Sequence, residues 1–164
     1  MSTQLIILKH DQWRKGLGGA PAGVSGESDS NAYAGLDLNL ITFSASTFSD
    51  SSFSATTFLD ASWTGCRFTN STFSSCDLRR IAINECAFIG CTFINSRLAD
   101  SNLNNSSFVG CRWNELNFDH AHWSGVKVLS CIGTRFTAQS LTGDQVDFTG
   151  SQFQDMELTD AAIN

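Results

Sequence analysis

Large apolar residues recur at every fifth position over most of the chain. The series begins at Leu38, ends at Ile163, and drops to small residues only at Gly133, Ala138 and Gly143. A period of five fits neither the 3.6-residue turn of an α-helix nor the two-residue alternation of a flat strand. The pattern therefore predicts a solenoid whose repeat is one short strand followed by a turn.

A second row of small or apolar residues lies two positions before each member of the first. It includes Ser46, Cys66, Ile81 and Ala121, and none of its members is charged, whereas the other three positions of each repeat carry the acids, bases and amides. Residues two apart on a strand point to the same face. Each repeat is thus expected to direct one large and one small side chain inward.

Where the first row has small residues, the second row has larger ones. In the repeats that contain Gly133, Ala138 and Gly143, the second row supplies Cys131, Phe136 and Leu141. Because close-packed interiors penalise lost volume, this exchange predicts that the core continues through the interruption.

The tandem motif of a small residue, any residue, Leu or Phe, and two further residues resembles the pentapeptide-repeat proteins. Clear copies lie at residues 61–65, 101–105 and 151–155, and the motif covers about residues 36–164, with Phe more frequent than Leu at its centre. The resemblance implies an all-β fold, a right-handed quadrilateral parallel β-helix with four repeats per coil. About 26 repeats would then form about 6.5 coils, and residues 20 apart would stack.

Three segments are expected. Residues 1–17 form a helical segment that either caps the first coil or docks on a partner, residues 18–35 form a Gly/Ser-rich flexible linker, and residues 36–164 form the β-helix. The last coil is expected to be an uncapped edge, through which the protein could form a homodimer.

If residues 20 apart stack on one another, the pattern predicts a core ladder of aromatic rings and places the cysteines in the core. The ladder consists of Phe48, Phe68, Phe88, Phe108 and Phe148, with Val128 between the last two. All six cysteines fall on the small inner row, which favours buried thiols over disulfides or metal ligands. Six reduced thiols, with no signal peptide and no membrane-length segment, predict a cytoplasmic protein.

Composition argues against several classes of function. The net charge is −6 without a basic patch, so direct nucleic-acid binding is not expected. No catalytic or phosphate-binding motif is present. His120 and His122 beside Asp119 could hold a metal, but exposed histidines on a turn are commoner. We therefore predict no enzyme activity, no cofactor and no metal site.

One outward column breaks the polar pattern of the surface. Ile89, Val109 and Leu129, which we call the apolar stripe, recur at 20-residue intervals, and Ile94 and Ile132 are expected on the adjoining face. Exposed apolar stripes often mark interfaces. The stripe predicts a non-enzymatic scaffold that binds another protein, whose identity the sequence does not reveal.

Two alternatives follow from the resemblance. Some pentapeptide-repeat proteins mimic DNA and protect DNA gyrase, although here the outward columns mix acids with bases, as at Asp60 and Arg80. Others are effectors or accessory proteins of secretion systems, and nothing in this sequence singles out that role.

The five-residue frame predicts which substitutions unfold the protein. Replacing Phe88 or Phe108 with Ala should lower the free energy of unfolding by about 3–5 kcal/mol, because each change leaves a cavity in the ladder. Thermal or chemical denaturation measures this loss. Melting temperatures near that of the wild type for both variants would show that the register is wrong.

Overall fold

The computed structural model describes residues 2–164 as one helix followed by a stack of parallel strands. Helix α1 spans Thr3–Arg14. The strands are β1 (Gly23–Ser25), β2 (Ser28–Asp29), β3 (Ala32–Ala34), β4 (Thr42–Ser44), β5 (Thr47–Ser49), β6 (Ser52–Ser54), β7 (Ser62–Thr64), β8 (Arg67–Thr69), β9 (Thr72–Ser74), β10 (Ala82–Asn84), β11 (Ala87–Ile89), β12 (Thr92–Arg97), β13 (Asn102–Asn104), β14 (Ser107–Val109), β15 (Arg112–Asn117), β16 (His122–Ser124), β17 (Lys127–Leu129), β18 (Ile132–Gln139), β19 (Thr142–Asp144), β20 (Gln152–Gln154), β21 (Glu157–Thr159) and β22 (Ala162–Ile163).

These strands form three parallel sheets around a common core. The first sheet has the order β1-β4-β7-β10-β13-β16-β19-β22, the second β17-β14-β11-β8-β5-β2, and the third β20-β18-β15-β12-β9-β6-β3. Isolated bridges such as Asp37 to Thr57 and Thr57 to Asp77 form the fourth side. The predicted pentapeptide-repeat β-helix is confirmed, with about seven turns.

Each side of a coil is short because the backbone turns into the left-handed region at the end of every repeat. Asn70, Gly90 and Gly110 occupy such corners with φ of 49°, 62° and 61°. Most corners carry other residues, for which this conformation costs about 1–2 kcal/mol. Hydrogen bonds between coils offset the cost: the Gly90 N–H, for example, donates to the Val109 carbonyl at 2.9 Å.

The predicted ladder forms a column of stacked rings. Phe48 and Phe68 stack with centroids 4.7 Å apart, Phe68 and Phe88 at 4.9 Å, and Phe88 and Phe108 at 4.7 Å, with planes within 7° of parallel. These distances match the ~4.8 Å spacing of neighbouring strands. Phe148 differs from the other four, because it is only partly buried.

The small inner row bonds to the backbone as well as filling space. Ser71 Oγ accepts from the Ser51 N–H at 3.2 Å and donates to the Phe48 carbonyl at 3.3 Å. Cys91 Sγ makes the corresponding contact with the Phe68 carbonyl at 3.2 Å. Serine and cysteine are therefore equivalent here, since each satisfies a buried carbonyl of the preceding coil.

All six cysteines are free and buried, as the frame predicts. Burial raises the pKa of the Cys76 thiol to about 11, so this side chain stays protonated at neutral pH. A buried, protonated thiol is a poor nucleophile. The position of Cys76 thus agrees with a structural role.

The exchange of volume near residue 133 is also confirmed. Phe136 is 1% exposed, and its ring stacks on that of Trp113 at 5.7 Å. A Cβ atom at Gly133 would lie 2.5 Å from the Trp113 carbonyl oxygen and 2.8 Å from a ring carbon of Phe153. Glycine is required there because Trp113 and Phe153 occupy the space of the missing side chain.

The prediction of a flexible linker at residues 18–35 is wrong. Strands β1, β2 and β3 lie within that segment and pair with β4, β5 and β6, so they form the first coil. Val24 and Tyr33 are buried in its interior. The Gly, Ser and Pro composition suggested a linker, but these residues lie at the turns and on the outer surface of a coil.

The first coil does not follow the five-residue frame, because it is one residue shorter than the other coils. Tyr33 pairs with Phe53, 20 residues on, whereas Val24 pairs with Phe43 and Asp29 with Phe48, both 19 residues on. Counting back from Leu38 in steps of five reaches Tyr33 and then Ser28, one residue before Asp29. The sequence pattern therefore ends before the solenoid does.

A buried carboxylate occupies the place of an aromatic ring in this coil. Asp29 is 5% exposed and accepts hydrogen bonds from Tyr33 Oη at 2.6 Å, Ser51 Oγ at 2.7 Å and Asn31 Nδ2 at 2.8 Å. The Asn31 N–H is a further donor at 3.1 Å. Four donors compensate for the desolvation of the carboxylate and fix the shortened turn.

Helix α1 covers the open edge of the first coil with the fully buried Ile7 and with buried polar side chains. His10 is 1% exposed; its Nε2 donates to the Asn39 carbonyl at 2.7 Å, and its Nδ1 accepts from the Ala22 N–H at 2.9 Å. Asp11 Oδ1 accepts from the Asp37 N–H at 2.7 Å. Residues 3–14 therefore act as a cap, one of the two roles expected for this segment.

The histidine in this cap should make stability depend on pH. Because Nδ1 accepts a hydrogen bond, His10 must be neutral, and burial lowers its pKa despite the nearby Asp37 and Asp11, while Arg14 lowers it further. Below pH ~6.5 the unfolded chain binds a proton that the folded chain excludes. Stability should therefore fall as the pH drops below ~6.5, until the lowered folded-state pKa is passed.

Denaturation of the wild type and His10→Gln between pH 7.5 and 5 measures this effect. The variant should be less stable at pH 7.5, and the fall between pH ~6.5 and 5 should be smaller in it than in the wild type. His120→Gln, an exposed control, should keep the full dependence. An equal fall in His10→Gln and the wild type would contradict the assignment.

Candidate protein-interaction surface

The apolar stripe forms a continuous column on the second sheet. Ile89 pairs with Val109 and Val109 with Leu129, on β11, β14 and β17. Each side chain points outward because the residue before it points into the ring ladder or its continuation at Val128. Val109 is 37% exposed, and its two neighbours are half-buried.

The stripe is confined to three coils. The same column carries Ser49 and Thr69 in the preceding coils, paired in register with each other and with Ile89. Strand propensity alone does not require apolar residues in this column, since its first members fold into the same sheet with hydroxyl side chains.

The corner beside the stripe is open at Gly110. Gly90 and Gly110 follow Ile89 and Val109 at left-handed turns, and a Cβ atom at Gly110 would meet no atom within 4 Å. A Cβ atom at Gly90, in contrast, would lie 2.6 Å from Asn70 Oδ1, so the Asn70 side chain covers that corner and only the corner at Gly110 is open. A partner could therefore approach Val109 across the corner.

Ile132 lies beyond this corner, three residues after Leu129, and is 46% exposed. It borders a shallow depression of about 350 Å³ on the third sheet. The lining residues are Arg112, Asn114, Ile132, Gly133, Thr134, Gln152 and Gln154. The depression adds polar donors and acceptors next to the apolar stripe.

The fifth predicted interface residue stands apart from Ile132. Ile94 is 37% exposed but pairs with Ser74 and Asn114, whereas Ile132 pairs with Arg112 and Gln152, so the two belong to different columns of the third sheet. On the third sheet, Ile132 therefore lies next to the corner that borders the apolar stripe, whereas Ile94 lies in the column farther from that corner.

Basic side chains flank the stripe. Lys127 precedes Leu129 by two residues on β17, and Arg112 pairs with Ile132 on the adjoining sheet; both are exposed. The surface thus has an apolar centre with two bases at its border, of which Lys127 lies beside Asp147 of the next coil.

Comparison with known proteins agrees with this architecture. The family signature described as pentapeptide repeats (8 copies) matches residues 46–81. The same five-residue frame continues on both sides of that match, in sequence and in coil geometry. The chain is therefore built of pentapeptide repeats, and the family signature itself covers residues 46–81. No curated protein sequence matches it.

Solved pentapeptide-repeat structures show how far the likeness extends. HetL, a protein involved in heterocyst differentiation regulation from the cyanobacterium Nostoc, is 16% identical, with 99% of this chain and 94% of HetL aligned and a TM-score of 0.53. QnrB1, a plasmid-mediated fluoroquinolone resistance protein, is 17% identical over 84% of this chain and 91% of its own, with a TM-score of 0.34. At these identities the likeness to HetL shows the shared fold alone.

The charged columns of this pentapeptide-repeat protein are internally paired. Arg80 Nε lies 2.9 Å from Asp60 Oδ1 one coil below, and its hydrogen bond lowers the pKa of that carboxyl group. Arg135 likewise pairs with Glu115. A column in which bases neutralise the acids one coil away does not resemble a row of phosphates.

The His120, His122 and Asp119 group has no metal-binding geometry. His122 Nδ1 instead hydrogen-bonds Thr142 Oγ1 in the next coil. Within residues 2–164, no group of three His, Cys, Asp or Glu side chains could hold a metal ion. In the same part of the chain, no helix is long and apolar enough to cross a membrane.

The sequence predicts an uncapped last coil and a capping or docking segment at residues 1–17, but it does not identify which apolar side chains are exposed there. Leu5 and Leu8 of the cap helix, and Met156 and Leu158 of the last coil, are exposed apolar side chains. The helical spacing of Leu5 and Leu8 was visible in the sequence, but the direction in which the helix faces depends on the buried contacts of His10 and Asp11. The frame predicts Met156 and Leu158 on the inner rows, but they are 38% and 40% exposed.

Proposed function

We propose that this pentapeptide-repeat protein is a non-enzymatic scaffold that binds another protein through the apolar stripe. The observation that carries the proposal is the continuous column of Ile89, Val109 and Leu129 on the second sheet. Three aligned apolar side chains present more contiguous area than single exposed residues, which are normal on any protein.

The backbone supports this role by holding the surface rigid. The stripe residues lie on paired strands, and their carbonyls at Ile89, Val109 and Leu129 accept from the corner N–H groups of Asn70, Gly90 and Gly110, each at 2.9 Å. A preformed surface loses little conformational entropy on binding. The partner that fits best would present apolar residues bordered by acids, opposite Lys127 and Arg112.

Two further points belong to the proposal. Six free, buried cysteines support a reducing, cytoplasmic location. The DNA-mimic alternative has weaker support, because ion pairs such as Asp60–Arg80 remove the continuous negative charge that a mimic needs. No observation favours an effector or secretion role.

A charge placed on the stripe tests the proposal. Val109→Asp combined with Leu129→Asp should weaken partner binding at least tenfold, because a carboxylate would be desolvated in the contact. Thr69→Asp is the matched control: it lies in the same column one coil before Ile89 and should bind as the wild type does. Circular dichroism should show that all three proteins fold.

The measurement has two stages. Proteins captured from extract of the native cells by the wild type and Thr69→Asp, but not by the double variant, are purified and titrated against each protein. Equal affinities for the wild type and the double variant would refute the stripe as the binding site. In parallel, a DNA-supercoiling assay with a gyrase poison should show no protection; protection would favour the alternative function.

A further inference from the structure

The second sheet and the corner that leads into it carry four charged residues within two coils of Val109. Arg67 lies two coils and Glu85 one coil before Val109. Lys127 lies one coil and Asp147 two coils after it. All four side chains are exposed, and the described residues 2–164 contain no salt bridge to any of them. Their charges are therefore available to a partner.

The signs of these four charges alternate along the rod. From the amino-terminal side they are positive, negative, positive and negative, with Val109 between the second and the third. Reversing the direction of the rod exchanges every sign, so this face is complementary to a second copy that runs antiparallel to it. The column of Asp60 and Arg80 differs, since those two residues pair within the chain.

We propose that the apolar stripe is covered by a second copy of this chain, with the two second sheets face to face and the two rods antiparallel. The inference rests on the proposed function, because it takes the stripe as the binding surface and identifies its partner. A two-fold axis through the coil of Val109, perpendicular to the rods, places Val109 against its own equivalent and Ile89 against Leu129 of the second copy. The contact is isologous, so it closes as a dimer.

Each charge on this face then meets an opposite charge. In a face-to-face antiparallel pair, every outward column lies against the same column of the other copy. Arg67 and Asp147 share the column that precedes the stripe, so each faces the other residue in the second copy. Lys127 faces the coil of Ala87, where Glu85 occupies the adjacent corner. The two-fold axis repeats both contacts, so each ion pair forms twice.

The coil that contains the two-fold axis leaves room for close approach. A Cβ atom at the Gly110 corner would meet no atom within 4 Å, so that corner offers no side chain to hold the copies apart. Ser107, the other outward residue of this coil on the second sheet, is small and half-buried. The two sheets can therefore come together at Val109, in the centre of the contact.

A parallel arrangement of the two copies fits less well. A two-fold axis along the rods places each residue opposite its own coil, and the column that precedes the stripe then meets the corner column that follows it. That corner column carries Asn70, Gly90, Gly110, Ser130 and Gly150, none of which is charged. The four charges would be partly desolvated without a partner, which is unfavourable.

The contact is small, which predicts a weak dimer. Five coils at ~4.8 Å span about 24 Å, and a strand of three residues is about 10 Å wide. Such an area lies below the roughly 1,200 Å² in total that stable complexes bury. We expect a dissociation constant on the order of 10–100 µM, so assembly should depend on protein concentration.

Reciprocal charge reversals test the antiparallel arrangement. Arg67→Glu places two acids together at both symmetric contacts, and Asp147→Arg places two bases together. In sedimentation equilibrium at about 50 mM salt, the wild type should pass from monomer to dimer between about 10 µM and 1 mM. Each single variant should associate at least tenfold more weakly. An equimolar mixture of the two variants should regain the wild-type affinity, because both of its contacts join opposite charges.

A second set of variants controls for a local effect of Asp147→Arg, which removes the hydrogen bond from the Thr149 N–H to the Asp147 carboxylate. Lys127→Glu and Glu85→Lys should each weaken the dimer, and their equimolar mixture should restore it. Arg97→Glu, the same reversal on the fourth side of the rod, is the matched control and should associate as the wild type does. Circular dichroism checks that all variants fold.

Three results would overturn the proposal. A wild type that stays monomeric up to about 1 mM would exclude the second copy, and a protein captured from extract through the stripe would then leave the proposed function intact. Weak association of both mixtures would contradict the antiparallel register. A dimer that persists in the Val109→Asp, Leu129→Asp variant would place self-association elsewhere on the rod.

Discussion

Parallel hydrogen bonding between residues one coil apart is the constraint on which the rest of the structure depends. It places each residue directly above the equivalent residue of the coil below, at the ~4.8 Å spacing of neighbouring strands. Inner side chains then stack on the equivalent side chains of the next coil, as the rings of Phe68 and Phe88 do at 4.9 Å. The corner residue of each repeat adopts a left-handed conformation because its N–H must reach the next coil.

The constraint explains why so much of the fold could be predicted from the sequence. A strict period of five and a stack of 20 place the ring ladder, the buried cysteines and the exchange at Gly133 without further information. The first coil could not be predicted, because one missing residue between Asp29 and Tyr33 shifts the frame and a carboxylate stands where a ring is expected. Its stability depends on hydrogen bonds among Asp29, Tyr33 and Ser51, and these have no periodic signature.

The candidate surfaces divide in the same way. The apolar stripe follows from the 20-residue stack, since Ile89, Val109 and Leu129 share a column only after the frame is folded. The surfaces at the two ends depend on contacts outside the frame. The buried contacts of His10 and Asp11, for example, decide that Leu5 and Leu8 of α1 face outward. In a regular solenoid the side surfaces therefore follow from the sequence period, whereas the surfaces at the ends depend on local hydrogen bonds and packing.

The 20-residue stack is tested most directly by the stabilities of two insertions. A second copy of residues 90–109, placed after Val109, adds one coil and keeps every column in register. One alanine inserted between Ser107 and Phe108 shifts the following residues of that strand to the opposite face. Chemical denaturation should show that the 20-residue insertion leaves the free energy of unfolding unchanged or raised. The single insertion should lower it by several kcal/mol, about the cost of exposing one ladder ring. Equal stability of the two insertions would contradict the account.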